Sequence, residues 1–175
     1  MIPIMGNPST PREFAERIVS LGLAAPEAAA EFADWELDEE DDPLRTYHEI
    51  LIELGLAVQV PVGDTDDLER TYADVLSEVV GLTGGAVEVA DVRLADDLRS
   101  IAFTIDGVRK EWHTEHHSTR HLDQLAIYEF VSLFDPPDGR RFRGLGLADD
   151  YDDPVYLLAT EEHARVLADE FGVTS

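Results

Sequence analysis

The dipeptide Asp106-Gly107 constrains this chain more than any other pair of its residues. It separates two runs of alternating character, Ile101, Phe103, Ile105 and Val108, Lys110, Trp112. A two-residue turn with both residues at positive φ matches the twist of the strands it joins, and Asp-Gly adopts it readily. The turn sets the register: Ile105 lies opposite Val108 and Ile101 opposite Trp112. One face is then apolar, and Thr104, Arg109, Glu111 and His113 fall on the other.

Residues before position 86 follow a different period. Thr10-Pro11-Arg12-Glu13 has the form of a capping box with proline at the first helical position. Phe14, Ile18 and Leu21 then form one stripe. Pro26 opens a second, alanine-rich helix, Glu27 to about Asp34. Asp42-Pro43 starts a third, with Tyr47, Ile50, Leu51 and Leu54 on one face and Gly55 as its stop. Leu56 to Val62 is a short strand or an extended connection. Asp64 to Asp67 load the start of a helix that carries Tyr72, Val75, Leu76 and Val79. Gly84-Gly85 closes that helix.

From Ala86 the pattern is that of strands, with a break in phase at Ala90-Asp91 that suggests a bulge. After the hairpin, Ser118 or Thr119 is placed to cap a helix with the stripe Leu122, Leu125, Ala126, Tyr128, Glu129, Phe130 and Leu133. Pro136-Pro137 ends it. Arg141 to Leu147 and Val155 to Ala159 read as strands, and Thr160 caps a last helix ending at Gly172. Helices followed by a mostly antiparallel sheet of about four to six strands, with helices packed on it, make an α+β fold. At 175 residues the expectation is one domain. It comprises a flexible stretch 1–9, a mainly helical part 10–85 and a sheet-containing part 86–175.

Charge narrows the function. There are 38 acidic and 13 basic residues, a formal net charge of −25. Such a field repels nucleic-acid phosphates and anionic membranes and draws in basic partners. A competing reading is that the acidity is a solubility habit of a salt-adapted proteome. There is no cysteine, hence no disulfide and no thiolate chemistry. No secretion signal and no apolar run of membrane-spanning length is evident, so the expectation is a soluble cytoplasmic protein.

Several constellations carry chemistry. Acidic residues flank an aromatic in two places: Trp35 with Glu36, Asp38, Glu39, Glu40 and Asp41, and Tyr151 with Asp149, Asp150, Asp152 and Asp153. An aromatic anchor within complementary charge suits a protein interface, so these are the expected partner-binding residues. His113, His116, His117 and His121 lie within nine residues. On an ideal strand Glu111, His113, Glu115 and His117 share a face, and His113, His117 and Glu115 are the candidate ligands for zinc. Ser118, His121 and Asp123 are close in sequence, but triads are defined by geometry, and capping by Ser118 is the simpler role. Gly144-Leu145-Gly146 neither opens a helix nor precedes a lysine, so it is no phosphate loop. Arg140-Arg141-Phe142-Arg143 is expected to pair internally with the loop 149–153. No catalytic motif stands out, and the expectation is a protein that is not an enzyme and holds no cofactor, zinc being the alternative.

The order from residue 86 to 172 is strand, Asp-Gly hairpin at Ile101–Trp112, helix at Leu122–Phe134, two strands, and the step Tyr156-Leu157-Leu158-Ala159-Thr160-Glu161-Glu162 into a helix. It resembles the small acidic immunity proteins of bacterial polymorphic toxin and contact-dependent inhibition systems. The resemblance implies an antitoxin that binds a cognate toxin domain, often a basic nuclease, and blocks its active site. It carries no functional residue onto this sequence.

Overall fold

The computed structural model describes residues 9–37, 42–146 and 153–174. Helix α1 (Pro11–Ser20) starts on the expected box. Thr10 Oγ1 accepts the Glu13 N–H at 3.2 Å, and the Glu13 carboxylate accepts the Thr10 N–H at 2.8 Å. The alanine-rich stretch is a 3₁₀ segment, Pro26–Phe32, rather than an α-helix to residue 34. Its cap position is Ala25, which offers no side-chain acceptor to the first free N–H groups. Helices α2 (Pro43–Glu53) and α3 (Leu68–Gly81) start on Asp42 and Asp67, whose side chains accept from Leu44 N and Arg70 N. Between them lies strand β1 (Ala57–Gln59).

Strands β2 (Val89–Leu94), β3 (Ser100–Ile105) and β4 (Val108–His113) form a meander. Asp106 and Gly107 both have positive φ, 49° and 79°, and Ile105 pairs with Val108 and Ile101 with Trp112. The register the turn dictates is therefore the one formed. The bulge is at Asp91, with φ 52°, where the β2–β3 pairing shifts between Ala90 and Arg93. Then follow α4 (Gln124–Phe130), a 3₁₀ turn at Val131–Phe134, β5 (Arg141–Gly144), β6 (Val155–Ala159) and α5 (Glu161–Phe171). Thr160 caps α5, and Gly172 ends it at φ 72°.

The fold is α+β, and its strands divide between two three-stranded antiparallel sheets, β1-β6-β5 and β2-β3-β4. All five residues of β6 are buried. Side chains alternate across a strand, so β6 feeds two cores. Tyr156 and Leu158 pack with Val58 and Phe142 among side chains of α3, β3 and α4. Val155, Leu157 and Ala159 pack on the other face with α1, α2 and α5, where Phe14 stacks on Tyr47 at 4.5 Å. The first sheet is thus a shared wall between two hydrophobic layers. The second sheet closes one of them through Ile101, Phe103 and Ile105.

The helix after the hairpin departs from the sequence reading in start and rotation. Asp123, not Ser118 or Thr119, caps it, accepting Ala126 N at 3.1 Å. With that start, Leu122, Ala126, Ile127, Phe130, Val131 and Phe134 face the core. Leu125, Tyr128 and Leu133, expected in the same stripe, instead face solvent.

Candidate functional site

The acidic segments are described only at their margins. Asp38, Glu39, Glu40, Asp41, Asp149, Asp150, Tyr151 and Asp152 lie outside the described residues. Trp35 packs edge-on against buried Phe32, ring centroids 5.0 Å apart, while 37% of its surface remains exposed. Glu36 beside it is exposed. Asp153 accepts the Val62 N–H at 2.9 Å and so ties the chain leaving β1 to the start of β6.

Among the described residues the basic run pairs internally with Asp138 and Glu161, while Asp149 to Asp152 of the expected partner loop lie outside them. Arg140 binds Asp138 at 2.7 Å and the carbonyls of Leu82 and Thr83 at 3.3 and 3.1 Å. It holds the Asp138 carboxyl below the usual carboxylate range through those hydrogen bonds. Arg143 meets Glu161 at 2.6 Å. Five further arginines (12, 17, 70, 93 and 120) face carboxylates of this chain. More than half of the 13 basic residues thus spend their charge internally, and the outward field is carried by the surplus of acid.

The histidines do not share a strand face, because β4 ends at His113 and the chain turns away. His113 Nε2 lies 3.6 Å from Glu115 Oε1. His117 is exposed and does not join them, and among the described residues no three His, Asp or Glu side chains are placed to hold a metal ion. His116 and His121 have other partners. His121 Nε2 lies 2.8 Å from Asp64 Oδ1, and its Nδ1 lies 2.8 Å from Ser118 Oγ. Sequence proximity suggested Asp123 as the carboxylate of this group; the fold supplies Asp64. The order of atoms is that of a hydroxyl–imidazole–carboxylate relay. Yet the His121 and Asp64 side chains are 47% and 56% exposed, and Ser118 Oγ also accepts the Arg120 N–H at 3.0 Å. Such relays gain their power from a dry, fixed environment. This one acts as a staple: Arg120 adds ion pairs to Asp64 and Asp66, and its carbonyl accepts Thr65 N.

Behind that staple lies a buried network. The Tyr72 hydroxyl accepts the Asp123 N–H at 2.8 Å and sits 2.8 Å from His116 Nε2. His116 Nδ1 is 2.8 Å from the Leu98 carbonyl, which can only accept. Nδ1 therefore carries the proton, and in the neutral ring Nε2 accepts from Tyr72. Burial pushes the Tyr72 hydroxyl well above the usual phenol range.

One surface was missed in the sequence. On α4, Leu125 and Tyr128 are 66% and 63% exposed, and Leu133 one turn on is 37% exposed. The Tyr128 ring lies along β5, where a Cβ at Gly144 would stand only 3.4 Å from it. Glu129 accepts the Trp112 Nε1–H at 3.2 Å, which fixes its carboxylate beside that ring. Of these, Tyr128 and Glu129 border a cleft of about 520 Å³ with Ser132, Phe142 and Arg143. The signal was present: a helix with apolar residues on both faces has more than its core needs.

Compared with protein-family models, curated proteins and solved structures, the chain matches none. Among the described residues no helix is long and apolar enough to cross a membrane.

Proposed function

We propose that this protein is a non-enzymatic acidic binding module of the cytoplasm, an immunity protein or antitoxin that neutralises a basic toxin domain by covering its active site. The observation that carries the reading is the net charge of −25 on a fold whose arginines largely pair with its own carboxylates. The likeness in element order to small acidic immunity proteins supports it. In this reading the surface carboxylates stand where the toxin's substrate phosphates would bind, and Trp35 with Glu36 marks the described edge of one contact. Long-range attraction raises the encounter rate, and apolar anchors set the lifetime of the complex.

The test is co-expression with the product of the neighbouring gene. The expected result is a co-purifying complex, rescue of growth, and association that slows as salt shortens the reach of the charges. Normal purification of both proteins without a complex or rescue would sink the reading.

A further inference from the structure

We infer that the exposed face of α4, with the β5 cleft beside it, is the apolar anchor point for a basic protein partner: Leu125 and Tyr128 receive an aliphatic side chain, and Glu129 a neighbouring lysine or arginine. This rests on the binding reading above and places its anchor where the acidic segments do not. Leu125 and Tyr128 lie three positions apart, on one side of the helix. A Cβ at Gly144 would stand 3.4 Å from the Tyr128 ring, so one edge of the ring lies against β5 while 63% of the residue stays exposed. An amphipathic ring fixed in this way loses little freedom on binding, which favours it as an anchor.

Charge selects the occupant. Arg143 at the cleft is already paired with Glu161, so Glu129 is the carboxylate left to meet an incoming cation, and the Tyr128 face adds cation–π attraction. A second copy of the chain would bring its own charge of −25 to the contact, and like fields oppose that pairing. A basic partner with an apolar residue beside its cation satisfies both the ring and the carboxylate.

The test uses the full chain, labelled with ¹⁵N and titrated with the peptide acetyl-Arg-Leu-Arg-Leu-amide, against acetyl-Glu-Leu-Glu-Leu-amide as control. Amide shifts are expected at Leu125, Tyr128, Glu129 and Gly144 with the basic peptide only. Its dissociation constant should be on the order of a millimolar, as suits one small anchor. The double variant Leu125→Ser, Tyr128→Ser changes exposed side chains and should weaken binding at least about tenfold, with the rest of the spectrum unmoved. Shifts confined to the segments 36–41 and 149–153 would overturn the proposal and leave the basic-partner reading standing. No response anywhere would overturn both. Equal response to the acidic peptide would remove the selection by charge. Self-association in sedimentation, abolished by the double variant, would show that a second copy is the occupant and end the proposal.

Discussion

Replacing Tyr72 by phenylalanine isolates one oxygen atom. The ring stays, so no cavity opens, and only the hydroxyl's two hydrogen bonds are lost. The Asp123 N–H, 2.8 Å from that oxygen, becomes a part-buried donor without a partner. An unsatisfied buried donor costs about 1–3 kcal/mol. The bond to His116 adds about 1 kcal/mol, the usual net value of a neutral pair. Because His116 is half-buried, water can serve its freed nitrogen, and no further penalty is expected. The sum is a loss of about 2–4 kcal/mol. At about 2–4 °C per kcal/mol for a chain of this size, Tm falls by roughly 4–16 °C. Urea unfolding followed by circular dichroism measures it directly: the midpoint should drop with the slope m unchanged. A variant within about 0.5 kcal/mol of the parent would mean that Asp123 N–H is hydrated in the folded state, and the network would lose its structural role.

Stability should also fall in alkali. Burial pushes the Tyr156 hydroxyl up to about 12 and Tyr72 further, while unfolded tyrosines ionise near pH 10. The unfolded chain then binds fewer protons than the folded one, so stability declines from about pH 10 by about 1.4 kcal/mol per pH unit for each tyrosine. Urea midpoints at pH 9, 10 and 11 test this, and a flat profile would refute it. Asp123→Ala removes the acceptor of both Ala126 N and Glu115 N and should cost about 2–3 kcal/mol by thermal unfolding, whereas a cost under about 0.5 would show that neither bond matters. Arg143→Met should be neutral or stabilising in urea. Its Nε is buried without a partner among the described residues and its Glu161 is 87% exposed, so a loss above about 2 kcal/mol would contradict a weak pair.

The sequence revealed what neighbours in the chain decide. Thr10 with Glu13, Asp42 before Pro43, Thr160 before Glu161 and the Asp106-Gly107 turn each act within four residues, and each formed as read. Distant partners were out of reach. Asp64 reaches His121 across more than fifty residues, and no local rule prefers it over Asp123. The start of α4 depends on which of three capping residues, Ser118, Thr119 or Asp123, takes the cap position. The winner is Asp123, whose other oxygen also holds Glu115 N. Apolar residues lie on both faces of this helix, and Leu122, Ala126, Ile127 and Phe130 take the core, which leaves Leu125 and Tyr128 on the surface. The split into two sheets was hidden for a similar reason. The three residues of β1 look like a connection until β6, about a hundred residues later, pairs with them.

The double burial of β6 fixes when this protein can become itself during synthesis. Helices α1 and α2 leave the ribosome early and can meet through Phe14 and Tyr47, but the sheet face they cover is complete only once Val155 to Ala159 have been made. The same strand adds Tyr156 and Leu158 to the opposite layer, so both layers receive their last members together. Contacts that span so much chain close slowly, and nascent helices wait with their apolar faces open. A chain stopped before β6 would leave both layers open on the side this strand fills, so one five-residue strand sets the last step of folding for both.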